Sequence, residues 1–220
     1  MVERRRRLKK IILFLCLCLF LPGGVWAKEK VINLKYSPRE KVKVKPKKVP
    51  SVKIYIADFA DARSRPKAVG VNKEDKDKEI EILVPDSGEP KQFMRSVLKK
   101  EFQDKGFSLT EGSGGAQAVL SGTLLKFWTV ETRRYKSEIQ LKVQVKNKEG
   151  AVLFSRTFVG TGENFGHSLS EENYQESFSN AAARIVDKLF ADGAFLNALA
   201  HAPAAGSGQP PAGKGVFGPK

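Results

Sequence analysis

"EIQLKVQVK", residues 138–146, is the stretch from which the fold can be read. Ile139, Leu141, Val143 and Val145 alternate with Gln140, Lys142, Gln144 and Lys146. A period of two sends successive side chains to opposite faces of a strand. One face is wholly apolar and the other wholly polar, as in an antiparallel sheet covered on one side and wet on the other. Downstream, "NKEG" (147–150) is a turn and "AVLFSRTFVG" (151–160) a returning strand. Upstream, "QAVLSGTLLKFWTVET" (117–132) reads as the neighbouring strand. Further back, "SVKIYIADF" (51–59) sets Val52, Ile54 and Ile56 against Lys53 and Tyr55.

Two helices supply the cover. "EPKQFMRSVLKKEFQDKG" (89–106) has Pro90 in its first turn, Phe93, Val97 and Phe102 near one face, and Gly106 where a left-handed C-terminal cap belongs. The second begins at Ser170, a fitting N-cap, with Glu171 and Glu172 complementing the helix dipole. Leu169 is placed to staple onto Tyr174. Phe178, Ala181, Ala182, Ile185, Val186 and Leu189 form its buried stripe. Residues 60–78 are charged and aperiodic and are expected to form a loop, followed by a short strand at "IEILVP" that Pro85 stops. The expected fold is α+β, an antiparallel-rich sheet with two helices packed on one face in the order β-α-β-β-β-α.

The ends differ in composition. Arg4 to Arg7, Lys9 and Lys10 precede an apolar run, Ile11–Leu21, and then Pro22-Gly23-Gly24 and Val25-Trp26-Ala27. These are the marks of a secretory signal peptide, residues 1–27, cleaved after Ala27. The other reading is an uncleaved anchor through Ile11–Ala27, at the short end for a spanning helix. Cys16 and Cys18 are the chain's two cysteines, and each follows a leucine, whereas lipid attachment requires a small residue before the cysteine. A mature chain without thiols suits an oxidising compartment. Residues 28–51 form a basic Pro/Lys-rich arm, 52–201 a single domain, and 202–220 an Ala/Gly/Pro-rich tail expected to be disordered.

The net charge of +15 is unevenly spread. Residues 28–53 carry ten Lys or Arg against two Glu, while residues 54–201 carry 21 of each sign. A neutral domain with basic appendages argues against nucleic-acid binding, which would place the positive charge on the fold. In "KVKVKPKKVP" (41–50), Lys41, Lys43, Lys45, Lys47 and Lys48 interleave with valines and prolines. Either this is a solvated linker or it rests on an anionic lipid or polymer surface.

Reactive constellations are few. The histidines, His167 and His201, lack metal-ligand spacing, and no metal or cofactor is expected. "GTGENFG" (160–166) has no strand after the following helix, so its glycines are expected to permit a turn rather than to hold a dinucleotide; "GSGG" (112–115) also reads as a turn. The polar cluster of interest is residues 58–70, where Asp58, Asp61, Arg63 and Arg65 gather at the end of a strand. Paired carboxylates can act as acid and base, but arginines beside them hold them ionised and favour an ion-paired structural loop; the other reading makes these four the candidates for partner or ligand binding.

"DARSRPKAVG" after a strand, a helix closing on "KGF", then "AVLSGTLLKF", an alternating hairpin and a terminal helix resemble the YajG family of bacterial envelope lipoproteins over residues 52–196. The matching positions are Asp61, Arg63, Val69-Gly70, Gly106-Phe107 and Leu120-Ser121-Gly122. The resemblance implies a periplasm-facing protein at the outer membrane with no assigned catalysis. The family's lipidated cysteine is missing, so the basic arm could replace a lipid by electrostatics. The expectation is therefore a secreted, non-enzymatic envelope module in the periplasm that binds an envelope protein or an anionic envelope polymer, with peripheral membrane contact through its arm. The alternatives are a membrane-tethered anchor and a hydrolase built on Asp58 and Asp61.

Overall fold

A computed structural model of the chain describes residues 28–202. The expected signal peptide with Cys16 and Cys18, and residues 203–220 of the tail, lie outside the described residues.

The elements are β1 (Lys28–Val31), β2 (Lys53–Ile56), β3 (Ala60–Asp61), β4 (Ala68–Asp75), β5 (Lys78–Leu83), α1 (Glu89–Asp104), β6 (Ser108–Thr110), β7 (Ala118–Glu131), β8 (Tyr135–Asn147), β9 (Val152–Asn164), α2 (Glu171–Ala191) and α3 (Gly193–His201). The fold is α+β, three helices on one sheet. β8 carries the alternation that predicts it: Ile139, Leu141, Val143 and Val145 are fully buried, with Lys142 on the exposed face.

The sheet is mixed rather than antiparallel-rich, which corrects the expected topology. β7, β8 and β9 form an antiparallel meander, and β4 and β5 an antiparallel hairpin. Along its other edge, however, β7 pairs in parallel with β2, β3 and β4 in succession, at Ala118–Leu120, Thr123–Leu124 and Thr129–Glu131. β6 adds to β2 and β1 to β5, both in parallel. The physical reason is the crossover: α1 lies between β2 and β7 in the chain and carries it back to the end where β2 began, which makes the two strands run together. The element order is also longer than β-α-β-β-β-α, because β1, β3, β4, β5, β6 and α3 are present as well. Residues 68–75 form β4, although 60–78 read as a loop; Ala68, Val69, Gly70 and Asn72 are buried and Lys73, Glu74 and Asp75 exposed, so burial changes along the strand instead of alternating across it.

In β7 the buried set runs Ala118, Leu120, Gly122 and Leu124, then shifts phase to Phe127, Thr129 and Glu131. A bulge at Leu125 leaves that residue exposed and resets the faces. α1 closes as its sequence implies: Gly106 has φ 82°, Phe107 N–H reaches Phe102 O, and Gly106 N–H reaches Gln103 O, a complete Schellman motif. The rings of Phe102 and Phe107 pack 4.7 Å apart to seal it.

Two local expectations need correction. Gly160 and Gly162 are inside strand β9, not in a turn. A Cβ on Gly160 would come within 2.0 Å of Ala181 O and one on Gly162 within 1.9 Å of Ser177 O, so these glycines let α2 lie directly on the strand. At the start of α2, the Ser170 hydroxyl bonds to Glu172 and makes no cap bond to the backbone. The turn is held instead by fully buried Glu131, which accepts from Leu169 N–H at 2.9 Å, Ser168 Oγ at 3.0 Å and the Tyr174 hydroxyl.

Candidate functional site

Residues 58–70 fold into a closed knot around Arg63. Its guanidinium donates to both oxygens of Asp61, Nε to Oδ1 at 3.0 Å and Nη2 to Oδ2 at 2.8 Å. The same group donates to Ala68 O at 3.0 Å and Pro66 O at 2.6 Å. The side chains of Arg63 and Asp61 are 7% and 9% exposed, so the pair is desolvated and bidentate, the geometry in which an arginine–carboxylate contact is strongest. Asp58 is 88% exposed and turned to Arg95 of α1 at 3.2 Å, while Arg95 also donates to Ile56 O and Ala57 O. Arg65 pairs with Glu81 of β5. The structure thus unites Asp61 with Arg63 and sends Asp58 and Arg65 elsewhere. Asp58 lines a hollow of about 270 Å³ beside Phe59 and Arg95. Arg63 and Arg65 line a different one of about 670 Å³ beside Leu125 and Phe127. Their partners Arg95 and Glu81 were invisible to sequence reasoning, since nothing local ties them to the loop.

The basic arm is a strap. After β1 it enters the groove between α1 and α2 and runs from their N-terminal toward their C-terminal ends. Its backbone is held by side chains of the helices: Leu34 N–H by Glu89, Ser37 N–H by Ser179 at 2.9 Å, Arg39 N–H by Asn180 at 3.0 Å. Lys43 N–H and Val44 N–H both donate to Asp187 Oδ1, and Lys105 Nζ donates to Val42 O at 2.9 Å. Ile32, Val42 and Val52 belong to the core, and Leu34, Tyr36, Val44 and Val49 pack partly against it. The Tyr36 hydroxyl donates to Glu101 at 2.8 Å, and burial followed by that carboxylate pushes its pKa far above the usual range. Burial likewise raises the Glu89 carboxyl.

Because the apolar residues of this extended chain point into the groove, the alternate positions point out. Lys41, Lys43, Lys45, Lys47 and Lys48 are all exposed. Residues two apart on an extended chain lie about 7 Å apart, so Lys41, Lys43, Lys45 and Lys47 make a short ladder, with Lys48 beside Lys47 at a bend. Lys43 is met by Glu40 at 2.7 Å; among the described residues, Lys45, Lys47 and Lys48 have no carboxylate within ion-pair distance.

Where the strap leaves α2 it forms one wall of a cleft of about 990 Å³. That wall carries Val44, Lys45, Lys47, Lys48 and Val52; Phe190, Leu196 and Ala200 line the other, with Gln117 also on the lining. α3, which supplies Leu196 and Ala200, is started by Asp192, whose Oδ1 accepts from Ala194 N–H and Phe195 N–H. No group of three His, Asp or Glu among the described residues is placed to hold a metal ion, and no described helix is long and apolar enough to cross a membrane.

A family model described as an uncharacterized lipoprotein matches residues 57–200, nearly all of the domain. The chain belongs to this YajG-like family. Among solved structures, the YajG-like chain is similar to protein XCC0632 from Xanthomonas campestris, at 14% identity over 78% of this chain and 96% of that one, with a TM-score of 0.49. Lipoprotein GNA1162 from Neisseria meningitidis is 9% identical, over 64% and 99%, with a TM-score of 0.36. Uncharacterized lipoprotein B from Nitrosomonas europaea is 10% identical, over 69% and 90%, with a TM-score of 0.38. Nothing matches among curated proteins. Membership in a lipoprotein family fits a place in the cell envelope.

Proposed function

We propose that this YajG-like protein is a secreted, periplasmic, non-enzymatic binding module that attaches peripherally to anionic surfaces of the envelope through Lys41, Lys43, Lys45, Lys47 and Lys48. One observation carries the reading: the strap's backbone is pinned between Leu34 and Val44 by Glu89, Ser179, Asn180 and Asp187, so Lys41 and Lys43 are held outward and Lys45, Lys47 and Lys48 continue from that anchored stretch. A pre-ordered row loses less entropy on binding than a flexible linker would. Each lysine near an anionic surface contributes up to about 1 kcal/mol, and the domain behind the strap is neutral and adds no opposing field. The signal peptide delivers the chain to the periplasm, and the ladder takes the place of the lipid that its relatives carry.

A hydrolase using Asp58 and Asp61 finds little support, since Asp61 is engaged on both oxygens by Arg63 and Asp58 lies at a separate hollow. The knot around Arg63 is better suited to presenting a fixed surface to an envelope protein. The test is sedimentation of the processed protein with anionic and with neutral vesicles across a salt series. Screening over about 8 Å at physiological salt should release the protein from anionic vesicles as salt rises, with no binding to neutral ones. Equal binding to both kinds would refute the reading.

A further inference from the structure

Among the described residues, the only charged members of the lining of the cleft between strap and α3 are Lys45, Lys47 and Lys48. Its apolar lining is presented by Val44, Ala191, Leu196 and Ala200 over nearly buried Val52 and Phe190, with Ser51, Gln117 and Asn197 as uncharged polar members. Two halves of different chemistry therefore share one cleft, and an occupant has to match both. A hydrophilic polymer would leave the apolar walls uncovered. A neutral hydrocarbon would leave the lysines without a counter-charge. A bilayer is too broad for a cleft with the strap on one side and a helix on the other. At about 990 Å³ the cleft is at the upper end of the range of small-molecule sites, roughly 300–1,000 Å³.

We propose that this cleft takes the alkyl chain of a single-chain anionic amphiphile, with the chain along Val44, Leu196 and Ala200 and the head group on Lys45, Lys47 and Lys48. The assignment rests on the anionic-surface reading of the ladder and sharpens it: the upper lysines are the head-group end of a chain-binding site. Packing supports a stable cleft. Phe190 is 2% exposed and belongs to an aromatic cluster, its ring 5.2 Å from Phe102 and 5.5 Å from Phe107, so the helix wall is built on the core. The strap wall is fixed by Asp187 at Val44 and by Gln117, which accepts from Lys53 N–H at 3.0 Å.

The test is calorimetric titration of the processed full chain with octanoate, decanoate and dodecanoate below their micellar concentrations, and with dodecyltrimethylammonium. Dodecanoate should bind one to one, affinity should rise by up to about fourfold per added methylene, and the cationic amphiphile should not bind. Ala200→Trp, at an exposed position on the helix wall, should weaken dodecanoate at least tenfold while leaving vesicle binding intact. Lys45→Glu, Lys47→Glu and Lys48→Glu together should weaken dodecanoate at least tenfold, and their exposure leaves folding unaffected, as a thermal melt would verify. Affinity independent of chain length, or unchanged by Ala200→Trp, overturns the proposal. If dodecanoate does not bind but salt-sensitive vesicle binding persists, the cleft assignment fails and the ladder reading stands. If both are absent, both fail. Binding that appears only once residues 203–220 are removed would assign the cleft to the chain's own tail and likewise overturn the proposal.

Discussion

A single oxygen of Asp187, Oδ1, accepts the backbone N–H of Lys43 and of Val44, each at 2.8 Å. Asp187 is on α2 and the strap is more than 140 residues earlier in the chain, so this carboxylate decides where the lysine ladder lies. Asp187→Ala should release the strap locally, at a cost of roughly 1–2 kcal/mol. Trypsin should then cut at Lys41 to Lys48 faster, and hydrogen exchange at Val44 should accelerate while β8 stays protected. Unchanged cleavage and exchange would mean that the apolar contacts alone hold the strap.

Val143 is fully buried on the covered face of β8, and Lys142 beside it is exposed on the other. Val143→Asp puts a carboxylate in apolar surroundings and should cost on the order of 5 kcal/mol, comparable to the whole stability of many domains. Lys142→Asp should change the melting temperature little. Similar melting of the two variants would invert the facing of the sheet.

Gly162→Ala should destabilise by about 1–3 kcal/mol, because its Cβ meets the backbone oxygen of Ser177, which cannot swing aside. Gly193→Ala, where a Cβ meets nothing within 4 Å, should be neutral or slightly stabilising at the start of α3. Chemical denaturation of both variants checks the contrast, and equal effects would contradict the close approach of α2 to β9.

How far these features were legible depended on whether their cause was local. β8 and the cap of α1 could be read from the sequence because alternation and a left-handed glycine are local signals. β4 could not, since its first half is buried on both sides and its second half exposed, and its polar Asn72 is satisfied by Ser168, far along the chain. Gly160 and Gly162 look the same in sequence whether they serve a turn or a close approach, and only the helix above distinguishes the two. In residues 58–70 the pairing of Asp61 with Arg63 is a two-residue relationship and was readable. The pairings of Asp58 with Arg95 and Arg65 with Glu81 depend on the tertiary fold. The strap was the hardest case, because its prolines suggest a linker and its hydrogen-bond partners are the side chains of two distant helices.

Tyr135 should make the fold sensitive to alkali. Burial, with the charge of Glu131 adding to it and the bond from Ser170 N–H opposing, pushes its hydroxyl up to about 12 from an ordinary value of 10.0. Between those values the unfolded chain has lost the proton and the folded chain keeps it. The folded state then binds more protons, and stability falls as pH rises through that window. Tyr135→Phe should flatten the fall between pH 10 and about 12 while lowering stability at neutral pH, where its bonds to His167 O and Ser170 N–H are lost. Urea melts at a series of pH values would show it, and an unchanged slope would contradict it.

In the proposed function, the ordered lysine ladder attaches the protein to anionic envelope surfaces. Deleting the strap cannot test this, because it would also remove Ile32 and Val42 from the core. The direct measurement is co-sedimentation with anionic vesicles at low salt, comparing the processed protein with a variant in which Lys41, Lys43, Lys45, Lys47 and Lys48 are all replaced by Gln, after a thermal melt has shown both to be folded. The native protein is predicted to pellet with the vesicles and the variant to remain in the supernatant; a variant that pellets as well as the native protein would contradict the account.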